Sequence, residues 1–288
     1  MRRSLQNMND CENTLTPWER LQLIRLKERP TINDYIPHIF DEFYELHGDR
    51  CYGDDAAVLC GLAMLEGKPV TVISHVKGRN LNENKKVNFA MPHPEGYRKA
   101  LRLAKQAEKF GRPVICFIDT PGAFCGIEAE ERGQGEAIAK SICEFMELKT
   151  PVISVVLGEG GSGGALAFGV CDELAMLSNA IYSVISPRGF ASILWKDASR
   201  EKDACNMMKI TAEDMLRLGI AEHIIDEPLG GAHIDLCKTA ENIKEYLLNV
   251  IAEKSQKSID VLLNERYTKF RKIGEFEIRQ KEELLGKE

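Results

Sequence analysis

The chain has 288 residues, of which 44% are hydrophobic and 28% charged, with a formal net charge of −6. That length buries a full core, and one large α/β domain with helical extensions is expected rather than two smaller domains. No apolar run approaches the ~20 residues that span a bilayer, and Met1–Asp10 carries no apolar stretch of a secretory signal. The mild acidity argues against nonspecific nucleic-acid binding, so a soluble, non-membrane protein is expected.

Residues 1 to 34 read as a polar arm, with a short helix from Thr16 or Pro17 to Glu28 stopped by Pro30. Ile36, Ile39, Phe40, Phe43 and Leu46 have helical spacing, which predicts a helix over 36–46 ended by Gly48. Ala57–Leu65 and Pro69–Val76 are apolar runs joined by Glu66-Gly67-Lys68, the pattern of a β-hairpin. Lys77 to Pro94 has no apolar period and carries Lys77, Arg79, Lys85 and Lys86, which predicts a long functional loop.

Pro94 opens a helix to Phe110, and Val114–Ile118 reads as a buried strand followed by the loop Asp119-Thr120-Pro121-Gly122-Ala123-Phe124. A helix from Ala129 to Leu148 leads to the strand Val152–Leu157 and a second loop. Beyond it come a short helix, the run Leu174–Leu177, a strand Ile181–Ile185, and helices opening at Pro187, Ala212, Ile234 and Val261, the last running to Leu285. Helix, strand, loop, repeated, is the grammar of a parallel sheet whose ligands bind at the carboxyl ends of its strands.

The second loop is the most informative stretch, because five glycines fall within the seven residues Gly158-Glu159-Gly160-Gly161-Ser162-Gly163-Gly164. Glycine removes the Cβ that blocks close approach, so free amides at a helix start can meet a phosphate, a carboxylate or a developing oxyanion. Three chemical readings compete. The dinucleotide fingerprint Gly158-x-Gly160-x-x-Gly163 needs an ordinary helix next and an acidic residue about 20 positions on, and no acid stands between Met176 and Lys196. A P-loop is excluded because no Gly-Lys-Ser or Gly-Lys-Thr occurs.

The hydrolase reading places Ser162 on a nucleophile elbow, with Asp203 or Asp226 and then His233 as formal partners. A loop that merely turns the chain is the bland alternative, though each glycine costs roughly 0.5–1 kcal/mol of backbone entropy relative to alanine. The remaining reading pairs the two loops, since both leave strand ends and both can offer amides to one oxygen, as an oxyanion hole does.

Nine cysteines are scattered without a C-x-x-C pair. That suits a cytoplasmic protein with no metal on this chain. Cys60, Cys116 and Cys143 lie in apolar segments and read as buried hydrophobes, Cys125 reads as packing beside the first loop, and His75, His93 and His233 read as structural.

Several segments closely resemble the alpha subunit of bacterial acetyl-CoA carboxylase carboxyltransferase: Asp119-Thr120-Pro121-Gly122-Ala123-Phe124, Ala129-Glu130-Glu131-Arg132-Gly133-Gln134-Gly135, Gly158 to Leu166, and Ser183-Val184-Ile185-Ser186-Pro187. The likeness runs from about Tyr35 to His233 and includes Lys77-Gly78-Arg79, Pro94 to Leu101 and Pro228 to His233. It implies an α/β fold of ClpP/crotonase type, a crotonase-like spiral of ββα units over 35–254, with an N-terminal arm over 1–34 and a C-terminal helical extension over 255–288.

The resemblance also implies transfer of a carboxyl group from N-carboxybiotin on the biotin carboxyl carrier protein to acetyl-CoA, giving malonyl-CoA for fatty acid synthesis. The implied partners are biotin carboxylase and a beta subunit that carries a zinc ribbon, in an alpha2beta2 assembly. Two anions form in that chemistry, and the resemblance places Gly160, Gly161, Ser162, Gly163 and Gly164 at the biotin oxygen, with Ala123 and Phe124 as further donors. Lys77, Arg79 and Arg98 are the expected contacts of the CoA phosphates or the transferred carboxylate. The chain departs from the family pattern at Cys125, usually proline, at Glu128, usually small, at Gly135, usually serine, and at Arg188-Gly189-Phe190, usually Glu-Gly-Cys.

Overall fold

The computed structural model describes residues 15–275. Its frame is one sheet: β1 (Glu42–Glu45), β2 (Val58–Leu65), β3 (Lys68–His75), β4 (Val114–Thr120), β5 (Val152–Gly161), β6 (Glu173–Leu177) and β8 (His223–Ile225) lie side by side in the order given. The first three strands are antiparallel, and β3 through β8 are parallel. The short β7 (Ile181–Ser183) pairs with the far end of β5, beside Glu159, Gly160 and Gly161.

The hairpin forms as expected, and Glu66 and Gly67 both take positive φ at its two-residue turn, which matches the twist of the flanking strands. β4 and β5 are buried along their whole length, as strands covered on both faces must be.

The helices are α1 (Pro17–Ile24), α2 (Ile32–Ile39), α3 (Leu81–Lys86), α4 (Pro94–Lys109), α5 (Ile127–Glu131), α6 (Gln134–Met146), α7 (Ser162–Gly169), α8 (Pro187–Leu194), α9 (Glu201–Met207), α10 (Ala212–Arg217), α11 (Leu236–Lys254) and α12 (Ile259–Lys272). The helix expected over 36–46 is corrected. A Thr31/Asp34 capping box starts α2 four residues earlier, the helix ends at Ile39, and Phe43-Tyr44 become an edge strand. Gly61 makes room for that strand, because a Cβ there would meet the Phe43 ring at 2.6 Å.

The segment 77–94 is not a bare loop: Asn80 caps α3, and a tight turn follows in which Asn88, Phe89 and Ala90 all have positive φ. The helix expected over 129–148 is broken in two by Gly133 at φ +83°. The strand ending expected at Leu157 continues to Gly161, so half of the glycine segment is strand. The expected C-terminal helix is seen to Lys272, and its continuation to Leu285 lies outside the described residues from 276 on.

One large apolar core fills the sheet faces. A second, small core joins Leu21 and Ile24 of α1 to Ile181, Cys205 and Ile210, so the described part of the N-terminal arm is packed rather than loose. Arg266 of α12 is buried, forks onto Asp172 at 2.8 Å and donates to the carbonyls of Phe145 and Leu148 at the end of α6. Cys60 and Cys116 are buried as expected, whereas Cys143 is exposed on α6. No helix among the described residues is long and apolar enough to cross a membrane.

Candidate active site

The ends of β4 and β5 meet directly. Thr120 pairs with Gly160 past a register shift, and Asp119 Oδ1 accepts the amide of Glu159 at 2.9 Å. The missing side chains of the glycine segment are what allow this approach. A Cβ at Gly158 would stand 2.6 Å from Asp119 Oδ1, at Gly160 2.3 Å from the Tyr182 ring, at Gly161 2.2 Å from the Pro121 carbonyl, and at Gly164 2.6 Å from the Ala123 nitrogen. Gly163 differs, since its nearest neighbour would be Ile138 at an ordinary 3.5 Å. Gly158, Gly161 and Gly164 therefore seat the segment on the end of β4 and the loop after it, Gly160 seats it on β7, and Gly163 alone of the five leaves a Cβ at ordinary contact distance.

Ser162 is the first residue of α7 and has φ +52°, an uncommon backbone for a residue with a Cβ. Gly161 precedes the helix without a side-chain cap, so the amides of Ser162, Gly163 and Gly164 have no acceptor within the helix. Gly160 and Gly161, expected among the donors, belong to the strand ladder, and their contribution is close approach.

The loop after β4 is held by Thr120, whose hydroxyl donates to the Ala90 carbonyl at 2.5 Å and accepts the Gly122 amide at 3.0 Å. The Phe124 amide is already donated to the Pro92 carbonyl at 3.1 Å. Phe124 is thereby corrected from donor to wall, with its ring 4.5 Å from that of His93. The Ala123 nitrogen, expected to be a donor from this side, lies against Gly164. Gln134, which sequence reasoning passed over, donates to both Pro92 and Phe124 carbonyls at 2.8 Å and fixes the loop from α6. Its signal was its place in the quoted segment Arg132-Gly133-Gln134. Cys125 is exposed beside this loop and is not the packing residue expected.

The expected cations are committed to carboxylates. Lys77 stands between Asp119 and Glu159, with Nζ at 3.4 and 3.7 Å. Arg79 pairs with Asp34. Arg98 donates to Asp49 at 2.8 Å, to Glu95 at 3.0 Å and to the Arg132 carbonyl at 2.9 Å, which makes it a tie between segments. His75 lies fully buried against the Phe168 ring of α7, at 4.7 Å between centroids, and burial pushes its pKa down to about 3. It is neutral, the neighbouring Phe117 and Gly164 backbone offsetting only part of the burial.

The elbow-like backbone at Ser162 revives the hydrolase comparison, but none of Asp203, Asp226 and His233 is hydrogen-bonded to another member of such a triad. Asp203 pairs with Arg200, and His233 packs at Gly231. No side chain among the described residues is hydrogen-bonded to the Ser162 hydroxyl. No cluster of three or more potential metal ligands occurs among the described residues.

A parallel sheet with an antiparallel lead-in hairpin, and two loops meeting at neighbouring strand ends, defines a protein of the crotonase fold. A family model described as acetyl co-enzyme A carboxylase carboxyltransferase-like matches residues 1–274, and the chain belongs to that family. It is 60% identical over 262 residues to the acetyl-coenzyme A carboxylase carboxyl transferase subunit alpha of Clostridium acetobutylicum, covering 91% of this chain and 96% of that one. It is 58% identical to the same subunit of Shouchella clausii over 260 residues, 90% of this chain and 80% of that one.

Among solved structures, a chain of a Pseudomonas malonate decarboxylase hetero-tetramer in complex with coenzyme A superposes with a TM-score of 0.64 at 16% identity, covering 81% of this chain and 90% of that one. Transcarboxylase 12S gives 0.59 at 19% identity over 73% of this chain, which spans only 41% of the transcarboxylase chain. At those identities the likeness is one of fold.

Proposed function

We propose that this chain is the half of an acetyl-CoA carboxylase carboxyltransferase that receives carboxybiotin on its carrier protein, while a zinc-bearing beta subunit receives acetyl-CoA. The observation that carries the reading is the junction of the two loops, where α7 opens without a side-chain cap at Ser162–Gly164 and Gly164 lies directly against the Ala123 nitrogen. The donor set fits a ureido oxygen, because backbone amides are neutral, fixed by the sheet, and worth ~3 kcal/mol each when aimed at developing negative charge. When bound, carboxybiotin would supply the carboxyl group that passes to the methyl carbon of acetyl-CoA, its freed ureido nitrogen taking the methyl proton, to give malonyl-CoA.

This chain's residues then act by position. The amides hold the oxyanion, the absence of a side chain at Gly163 admits the ring, and the walls exclude water. No acid or base on the chain is needed beside the hydroxyl of Ser162, whose role is to shape the turn. Of the three cations assigned to acyl-CoA, Arg79 retains the exposure to meet a phosphate, at 52% for its side chain, whereas Lys77 and Arg98 brace the site.

Exposed apolar side chains on the rim, Val184 at 81%, Ile193 at 65% and Leu194 at 61%, suit a covering subunit. An alpha2beta2 assembly served by biotin carboxylase, in the cytoplasm, completes the proposal. The test is co-purification with a beta subunit followed by assay of malonyl-CoA decarboxylation in the presence of biotin. The complex should turn over and the chain alone should not.

A further inference from the structure

Three arginines of the N-terminal segment fork onto carboxylates: Glu213 in the first turn of α10, Glu159 near the end of β5 and Glu227 just after β8. Arg20 holds Glu213 at 2.6 and 2.8 Å and the Ser178 carbonyl at 2.7 Å. Arg29 holds Glu227 at 2.6 and 2.9 Å and the Leu157 carbonyl at 2.7 Å, with both side chains buried. Between them Arg25, just after α1, makes two bonds of 2.9 and 2.8 Å to Glu159. Glu159 lies inside the glycine segment, three residues before Ser162.

Glu159 is held on two sides. Its amide is fixed to Asp119 at the end of β4, and its carboxylate is fixed to Arg25, with Lys77 bridging 3.4 Å from Asp119 and 3.7 Å from Glu159. A bidentate guanidinium–carboxylate pair fixes direction as well as distance. The residues that follow have no side chains with which to hold themselves, apart from Ser162 in a strained conformation. Their aim therefore depends on the anchor upstream.

We propose that Arg25 is a positioning residue for the carboxyl transfer: through its fork on Glu159, the N-terminal segment sets the angle at which β5 delivers the Ser162–Gly164 amides. The assignment rests on the reading of those amides as the oxyanion site. Arg25 touches no reacting atom. Its side chain remains 38% exposed, and Arg20 and Arg29 keep α1 docked without it.

The test uses the assembled complex with the beta subunit, carrying Arg25→Gln, Arg25→Lys, Glu159→Gln or the double variant Arg25→Gln/Glu159→Gln. Malonyl-CoA decarboxylation is followed with free biotin, and hydrogen exchange at the Ser162–Gly164 amides is measured on the same samples. Arg25→Gln should lower kcat tenfold or more with KM for malonyl-CoA within twofold, assembly intact and exchange at those amides faster. Arg25→Lys should recover part of both, and the double variant should be no worse than the poorer single one. Wild-type kcat in Arg25→Gln, or a loss confined to KM or assembly, overturns the proposal. If the unaltered complex does not decarboxylate malonyl-CoA, the reaction reading fails separately. Exchange then still decides the anchor, since unchanged protection in Arg25→Gln contradicts it.

Discussion

A Cβ on Gly164 would stand 2.6 Å from the backbone nitrogen of Ala123, so α7 and the loop after β4 meet main chain to main chain. Backbone cannot swing aside as a long side chain can. Gly164→Ala should therefore separate the two loops, lowering stability by about 1–3 kcal/mol as overpacking does and abolishing most activity. Thermal unfolding and the decarboxylation assay, run together, check both halves.

Ser162 offers a test with the opposite sign. Its φ of +52° is strained for a residue with a Cβ and free for glycine, so Ser162→Gly should relieve about 1 kcal/mol in the folded chain, less the entropy glycine gains when unfolded. Ser162→Ala should keep substantial turnover, and a fluorophosphonate probe should leave the wild type unlabelled. Stoichiometric labelling at Ser162 would favour the hydrolase.

Arg98 braces rather than binds. Its removal leaves Asp49 and Glu95, whose side chains are 1% and 4% exposed, short of a partner. Arg98→Ala should cost about 2–3 kcal/mol of stability, less than a severed buried pair because Arg132 and three backbone amides remain. KM for acyl-CoA, measured below the unfolding transition, should change little.

The junction of the loops was legible in the sequence because glycine spacing reports close approach directly. Other parts were not. Phe43-Tyr44 carry a helical spacing that is equally the start of an edge strand, and only Gly61, distant in sequence, shows which face they take. The Phe124 amide looked free because its acceptor, Pro92, lies in another segment. The fork of Arg25 on Glu159 joins positions 134 residues apart, and charge alone cannot choose among so many partners. Lys77 was singled out to meet CoA phosphates or the transferred carboxylate, and its neighbours in the fold are instead the carboxylates of Asp119 and Glu159, which no local pattern reveals.

His75 yields a pH prediction. Its folded pKa of about 3 lies below the ordinary value near 6.5, so the unfolded chain takes up a proton that the folded chain refuses. Stability from this group is complete above pH 6.5 and is lost as pH falls toward 3, at up to ~1.4 kcal/mol per unit. Denaturant unfolding from pH 7 to 5 should show that loss in the wild type and less of it in His75→Phe.

Gly163 gives the most direct test of the oxyanion assignment, since of the five glycines in the segment it alone accepts a Cβ at ordinary contact distance, 3.5 Å from Ile138. Gly163→Val, in the intact complex with a beta subunit, should leave assembly and thermal stability nearly unchanged. Carboxyl transfer should fall more than a hundredfold, the consequence of losing ~3 kcal/mol of transition-state stabilisation. Transfer at the wild-type rate would show that the amides of Ser162–Gly164 do not hold the oxyanion.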